Sequence, residues 1–153
     1  MVRVAHLERR AALIGGLQGR DLSGRDLKGM NLSNANLKGT NLKEANLKGA
    51  DLSGAHFEGG SLRLADLEGA NLEGAVLEWT VLERANLKGA NLRDANLFRS
   101  WLAYTNLEEA DLRGADLTGT DLRWSDLTGA IYDDSTILPS LINPDQLASM
   151  TKV

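Results

Sequence analysis

The chain has 153 residues, 42% hydrophobic and 25% charged, with a formal net charge of −4 and no cysteine. That length allows one domain with a continuous core, the mildly acidic balance does not resemble a nucleic-acid-binding protein, and the lack of cysteine excludes disulfides and thiolate metal sites. Charges interrupt Met1 to Arg10 where a signal peptide needs an apolar run, and no stretch approaches the ~18 apolar residues of a membrane helix, so a soluble, cytoplasmic protein is expected.

Val4, Leu7, Ala11 and Ile14 fall at helical spacing and Gly15-Gly16 stops them, which predicts an N-terminal cap over residues 1–14 built on a short helix. The rival is one stray pentapeptide over Ala5 to Arg9 with Leu7 in phase. Arg10 to Ile14 does not continue it, which favours the helix.

From Gly15 to Asp134 the chain then repeats every five residues without insertion or deletion, giving 24 pentapeptides centred (position i) on Leu17, Leu22, Leu27 and onward to Leu127 and Tyr132. Every centre is Leu except Phe57 and Tyr132, and position i−2 is small except at Arg20, Arg25 and Met30. These three long residues suggest that the interior of the first coil meets a cap and partial solvent. Position i−1 is mostly Asn or Asp, i+1 is polar and variable, and i+2 is Gly in 13 of the 24 repeats.

A helix cannot hold this period, because five residues advance about 500° and the apolar stripe would drift round the axis. Nor can a flat strand, whose period is two. A short extended piece followed by a corner fits: i and i−2 face inward together, and the Gly-rich i+2 sits where a turn wants φ > 0. Coils of this kind stack by parallel hydrogen bonds into a β-solenoid.

The run Ala45-Asn46-Leu47-Lys48-Gly49-Ala50-Asp51-Leu52-Ser53-Gly54 resembles the pentapeptide-repeat family, whose motif is A(D/N)LxG. The resemblance covers about four-fifths of the chain. It implies an all-β fold, a right-handed quadrilateral parallel β-helix with four pentapeptides per coil, and here about six coils over residues 15–134. The rod would be roughly 29 Å tall. The sequence supports that register, since eight i−1 positions are Asp and yet no two of these are twenty residues apart. At i+1 the rule fails, with Lys28 over Lys48 and Arg93 over Arg113, where long side chains can splay apart in water.

Residues 35–74 are regular and polar outside, a solvated surface. His56 stands in an Asn/Asp slot without a second His or Cys at ligand spacing and reads as a surface substitution. Residues 76–124 depart from the pattern on the outside only. Sorted by position in the coil, the outward apolar residues occupy two adjoining faces, one carrying Val76, Trp79 and Phe98, the next Leu64, Val81, Trp101, Tyr104 and Trp124. Tyr104 over Trp124 and Val81 over Trp101 should stack. The other two faces sum to about −7 by formal count, against about −1 for the aromatic pair. Arg84, Arg99 and Arg123 flank the aromatics, the composition of a protein interface. The alternative is a covering by the chain itself. On the second aromatic face i+2 is Glu44, Leu64, Arg84, Tyr104 and Trp124, with only Gly24 excepted, which predicts a different turn there with φ < 0 and a flatter edge.

The motif decays after Ala130. Residues 135–153 are predicted to form a C-terminal cap, with Ile137 to Ile142 over the open end of the column and a short helix starting at Asn143-Pro144-Asp145-Gln146, Asn as N-cap, Pro at N1 and Gln at N3. Leu147 and Met150 would face inward.

No phosphate loop, metal-ligand spacing or nucleophile motif is present, so no enzyme activity, cofactor or metal is expected. The reading is a non-catalytic interaction scaffold that binds a protein partner, or a second copy of itself, through the aromatic patch. It expects neither direct nucleic-acid binding nor a membrane. The resemblance also implies a rival, DNA mimicry acting on DNA gyrase, which Lys28, Lys48, Lys88, Arg93 and Arg113 disfavour by interrupting the acidic faces. A third reading is a structural or stress-related protein without a fixed partner, in a family abundant in cyanobacteria. It would need no aromatic patch.

Overall fold

A coil is best stabilised when each of its N–H groups finds an acceptor, and this pentapeptide supplies all five. In the computed structural model, which describes residues 16–153, the unit around Leu47 shows how. Asn46 N–H donates to the Arg25 carbonyl one coil back at 2.9 Å, while Leu47 and Gly49 N–H donate to the Asp66 and Glu68 carbonyls one coil forward at 2.7 and 2.9 Å. Ala50 N–H closes the corner onto the Leu47 carbonyl at 3.0 Å. The fifth donor, Lys48 N–H, goes to Asn46 Oδ1 at 3.2 Å. The Asn/Asp preference at i−1 is therefore a preference for a side-chain acceptor two residues before an otherwise orphaned donor.

Parallel bridges join residues twenty apart, from Asp21 with Asn41 through Asp111 with Ile131, so four pentapeptides make one turn. The spacing becomes twenty-one at Asp116 with Ile137. One residue is added in the turn at Asp133, whose Oδ1 accepts from the N–H groups of Ser135 and Thr136 at 3.0 and 3.1 Å. The predicted helix over residues 1–14, and its rival pentapeptide, lie outside the described residues.

Inside the column the Leu centres, Phe57 and the small i−2 residues form one buried cluster. Each Leu contributes on the order of 1.5–3 kcal/mol. Where Thr replaces Ala at i−2 its hydroxyl is satisfied: Thr40, Thr80 and Thr105 Oγ1 donate to the carbonyls of Leu17, Phe57 and Leu82 at 2.8, 3.0 and 2.8 Å. Arg20 and Arg25 are exposed, as the sequence suggests, but Met30 is buried with the core.

The rule against stacked Asp has a direct cause. Asn41, Asn46, Asn71 and Asn86 each donate from Nδ2 to the carboxylate one coil earlier, of Asp21, Asp26, Asp51 and Asp66, at 3.0 to 3.2 Å. One cation of each stacked pair at i+1 turns to an acid, Lys48 to Glu68 at 2.8 Å and Arg113 to Asp111 at 2.6 Å.

The expected φ < 0 corner does not occur. Glu44, Leu64, Arg84, Tyr104 and Trp124 have φ between 58° and 61°, the same left-handed conformation as the glycines of the other corners. The reason is the ladder: Leu64, Arg84 and Tyr104 N–H donate to the Glu83, Ala103 and Arg123 carbonyls at 3.0, 3.2 and 3.0 Å. A corner with φ < 0 would swing these donors out of line. Losing one buried ladder bond costs as much as the ~1–2 kcal/mol of left-handed strain, and the neighbouring coils would have to shift too. No flatter edge results.

At the C-terminal end the strand β1 (Ile131–Tyr132) is followed by the helix α1 (Pro144–Ser149) and the strand β2 (Thr151–Lys152). Asn143 caps α1 by accepting from Asp145 N–H at 2.8 Å, with Pro144 in the first turn, as predicted. Gln146 does something else: its Nε2 donates to the carbonyls of Leu122 and Ser125 at 2.8 and 2.9 Å, capping the last coil as well as standing in the helix. Met150 is buried, Leu147 packs against the core, and β2 pairs in parallel with β1 at the twenty-residue spacing.

Candidate aromatic interface

The structure brings the eight candidate residues onto two neighbouring faces by the stacking that the repeat dictates. Val76 bridges His56 and Asn96; Val81 and Trp101 are bridged, with Asp121 next in the same column. Tyr104 and Trp124 stack with centroids 4.8 Å apart and planes 12° from parallel. Trp79 meets Phe98 edge-on at 6.3 Å and 84°. Packing between coils leaves much of this surface in water: Leu64, Trp79, Trp101, Tyr104 and Trp124 are 38 to 65% exposed, while Val76, Val81 and Phe98 are half-buried.

Guanidinium groups cover the rings. Arg99 lies 5.0 Å from the Trp79 centroid and 5.1 Å from that of Phe98, Arg84 lies 5.5 Å from Tyr104, and Arg123 lies 5.3 Å from Trp124. Arg123 also pairs with Asp121 at 2.7 Å and holds that carboxyl below its usual range. Arg84 and Arg99 form no ion pair among the described residues. Trp101 takes no part in ring stacking or guanidinium contact among the described residues.

Two local rules of the repeat are broken here. With Val76, Val81 and Trp101 at i−1, no side-chain oxygen stands ready for the N–H of Glu78, Glu83 and Ala103, which make no hydrogen bond among the described residues. Six residues of the patch region, Leu64, Trp79, Arg84, Arg99, Tyr104 and Trp124, occupy left-handed corners where Gly would be unstrained. Sequence reasoning missed Ala103, which is buried although it lies in an outward column of the patch region. The signal was an alanine in an outward column that is otherwise polar at Ser23, Lys43, Arg63, Glu83 and Arg123.

His56 is half-buried, its Nδ1 3.3 Å from Glu58 Oε1. No group of three or more His, Asp or Glu able to hold a metal ion occurs among the described residues, nor any helix long and apolar enough to cross a membrane.

The fold and this surface define a parallel β-solenoid that displays side chains on a fixed backbone. A family profile of pentapeptide repeats matches residues 21–59, 61–97 and 90–129 in eight copies, and the chain belongs to that family. It is similar to the pentapeptide-repeat protein Rfr23 from the cyanobacterium Cyanothece 51142, with 32% identity over 89% of this chain and 99% of that one and a TM-score of 0.43. It is also similar to HetL of Nostoc sp. strain PCC 7120, a pentapeptide-repeat protein involved in heterocyst differentiation regulation, with 30% identity over 99% and 77% of the two chains and a TM-score of 0.36. QnrB1, a plasmid-mediated fluoroquinolone resistance protein, shares the fold at 19% identity over 87% and 79%, with a TM-score of 0.54. No curated protein matches the chain.

Proposed function

We propose that the chain is a non-catalytic interaction scaffold, a right-handed quadrilateral solenoid of about six coils over residues 15–134 between caps at 1–14 and 135–153. Its aromatic patch binds a protein partner or a second copy, with Trp101 as the central anchor, Trp79, Phe98, Tyr104 and Trp124 around it, and Leu64, Val76 and Val81 at the margins. The observation that carries this reading is the broken rules. Asn or Asp at residues 76, 81 and 101 would cap three donors, and Gly at the corners would relax six residues, yet the sequence presents apolar and guanidinium groups instead. A forgone net hydrogen bond costs about 0.5–1.5 kcal/mol and each strained corner about 1 kcal/mol or more. Ring packing offsets part of this; corner strain also occurs at Asn34, Glu44, Asp94 and Glu109, so what sets the patch apart is the apolar side chains that replace the capping oxygens at residues 76, 81 and 101. The rigid backbone then binds with little ordering entropy.

The test is Trp101→Asp, followed by light scattering for self-association and affinity capture for a foreign partner. Loss of the detected association supports the patch; an unchanged association refutes it. DNA mimicry is the weaker reading, because Lys48–Glu68, Lys88–Glu108 and Arg113–Asp111 pairs neutralise the acidic faces. Gyrase supercoiling that is unaffected by excess protein would dispose of it.

A further inference from the structure

The last coil is not closed equally on its four sides. On one side Leu117 N–H donates to the Ile137 carbonyl and Ile137 N–H to that of Ala115; on another, Thr151 N–H donates to the Ala130 carbonyl; on a third, Gln146 covers the Ser125 carbonyl. On the side below Trp124 Gln146 reaches only the corner carbonyl of Leu122, at 2.8 Å. By the repeat, Leu122 and Trp124 N–H should donate to a following coil and the Thr120 carbonyl should accept from it. None of the three is paired among the described residues. The chain passes this side as a loop that turns at Pro139 and leaves Leu141 94% exposed. Between the loop and the coil lies an open groove of about 1290 Å³, lined on the coil side by Trp101 and Thr120 to Leu127.

We propose that this groove is a strand-addition site for an extended, Lys- or Arg-bearing peptide segment, which takes the place of the missing coil. The spacing of the free groups selects backbone in extended form: two donors at i and i+2 and an acceptor at i−2 are what each coil offers the next. The strand runs parallel to the coils and leaves Trp124, stacked on Tyr104 on one side, to receive an apolar side chain on the other. The rim selects the charge. Asp121 is paired with Arg123, whereas Asp126 and Asp145 line the groove without an ion pair among the described residues. Main-chain pairing supplies affinity in such a site, and alternate side chains supply specificity. The inference rests on the coil edge and not on the patch reading.

The experiment uses the full chain and the peptide acetyl-Lys-Val-Lys-Val-Lys-amide, followed by amide NMR and hydrogen exchange. The expected result is exchange slowed about tenfold or more at the Leu122 and Trp124 amides on saturation. A peptide N-methylated at alternate amides should not bind. The double substitution Asp126→Asn with Asp145→Asn, which keeps the local hydrogen-bond acceptors, should weaken the Lys peptide about fivefold at low salt. Trp79→Asp, which breaks the aromatic patch away from the groove, should leave peptide binding unchanged. Unaltered Leu122 and Trp124 amides at millimolar peptide, equal binding of the N-methylated peptide, or preference for a Glu peptide would each overturn the assignment.

Discussion

Asn46→Asp exchanges one amide for a carboxylate of nearly the same shape, and the structure says what that should do. Asn46 Oδ1 accepts from Lys48 N–H, a role that Asp fills equally well. Its Nδ2, however, donates to Asp26 Oδ1 at 3.0 Å, and Asp66 is its bridged neighbour on the other side. The substitution removes a hydrogen bond to a charged group, about 1.5–3 kcal/mol. It also stacks three carboxylates about 5 Å apart; in water each adjacent pair repels by about 1 kcal/mol. With screening at this half-exposed site the expected loss is about 2–4 kcal/mol at neutral pH, a fall of about 1–2 M in the urea midpoint. The column holds protons more tightly folded than unfolded, so its penalty is full above the carboxylate range and fades as pH falls below about 4. Asn36→Asp is the control, since its column neighbours are Gly16 and His56. Urea titrations at pH 7 and pH 3.5 decide the matter. Equal destabilisation at both pH values, or equal effects of the two substitutions, would refute the ladder argument.

The left-handed corner gives a prediction of pure backbone origin. A Cβ at Gly89, φ +62°, meets nothing within 4 Å, so Gly89→Ala should cost about 1 kcal/mol through conformation alone, and Glu109→Gly should recover up to about that amount; thermal melts check both. Gln146→Ala leaves the Leu122 and Ser125 carbonyls without their cap and should destabilise the C-terminal end by about 1–3 kcal/mol, read as faster hydrogen exchange around Leu127 and Met150. Asp133 is held down to about 2, first by the Ser135 hydroxyl and then by the Ser135, Gly114 and Thr136 groups around it. That stabilisation is complete above the usual carboxylate range and is lost as pH falls through about 2, so the turn should loosen only in strong acid, visible as altered Ser135 and Thr136 amide shifts.

The column was legible because the five-residue period never breaks from Gly15 to Asp134; its twenty-residue register was implied by the family resemblance, and the absence of Asp pairs twenty residues apart agreed with it. The aromatic pairs were legible for the same reason, as Tyr104 and Trp124 differ by one coil. The corner was not. Reading Leu64, Arg84 and Tyr104 one at a time gives φ < 0, since each alone avoids a left-handed conformation, whereas the conformation is set by carbonyls twenty residues away. Gln146 was likewise read as a helix-start residue, because its partners, Leu122 and Ser125, are adjacent only once the column is built. The return of Thr151 and Lys152 to the ladder carried no signal, lying beyond the last recognisable pentapeptide.

At the corner position Asn34, Glu44, Leu64, Trp79, Arg84, Asp94, Arg99, Tyr104, Glu109 and Trp124 all hold φ between 53° and 61°. Acid, base, aromatic and aliphatic groups thus sit on one unchanged backbone, each for a similar and modest local strain. Such corners behave as sockets in a regular grid. What the outer surface says can be rewritten one socket at a time, while the leucine column inside never has to take notice.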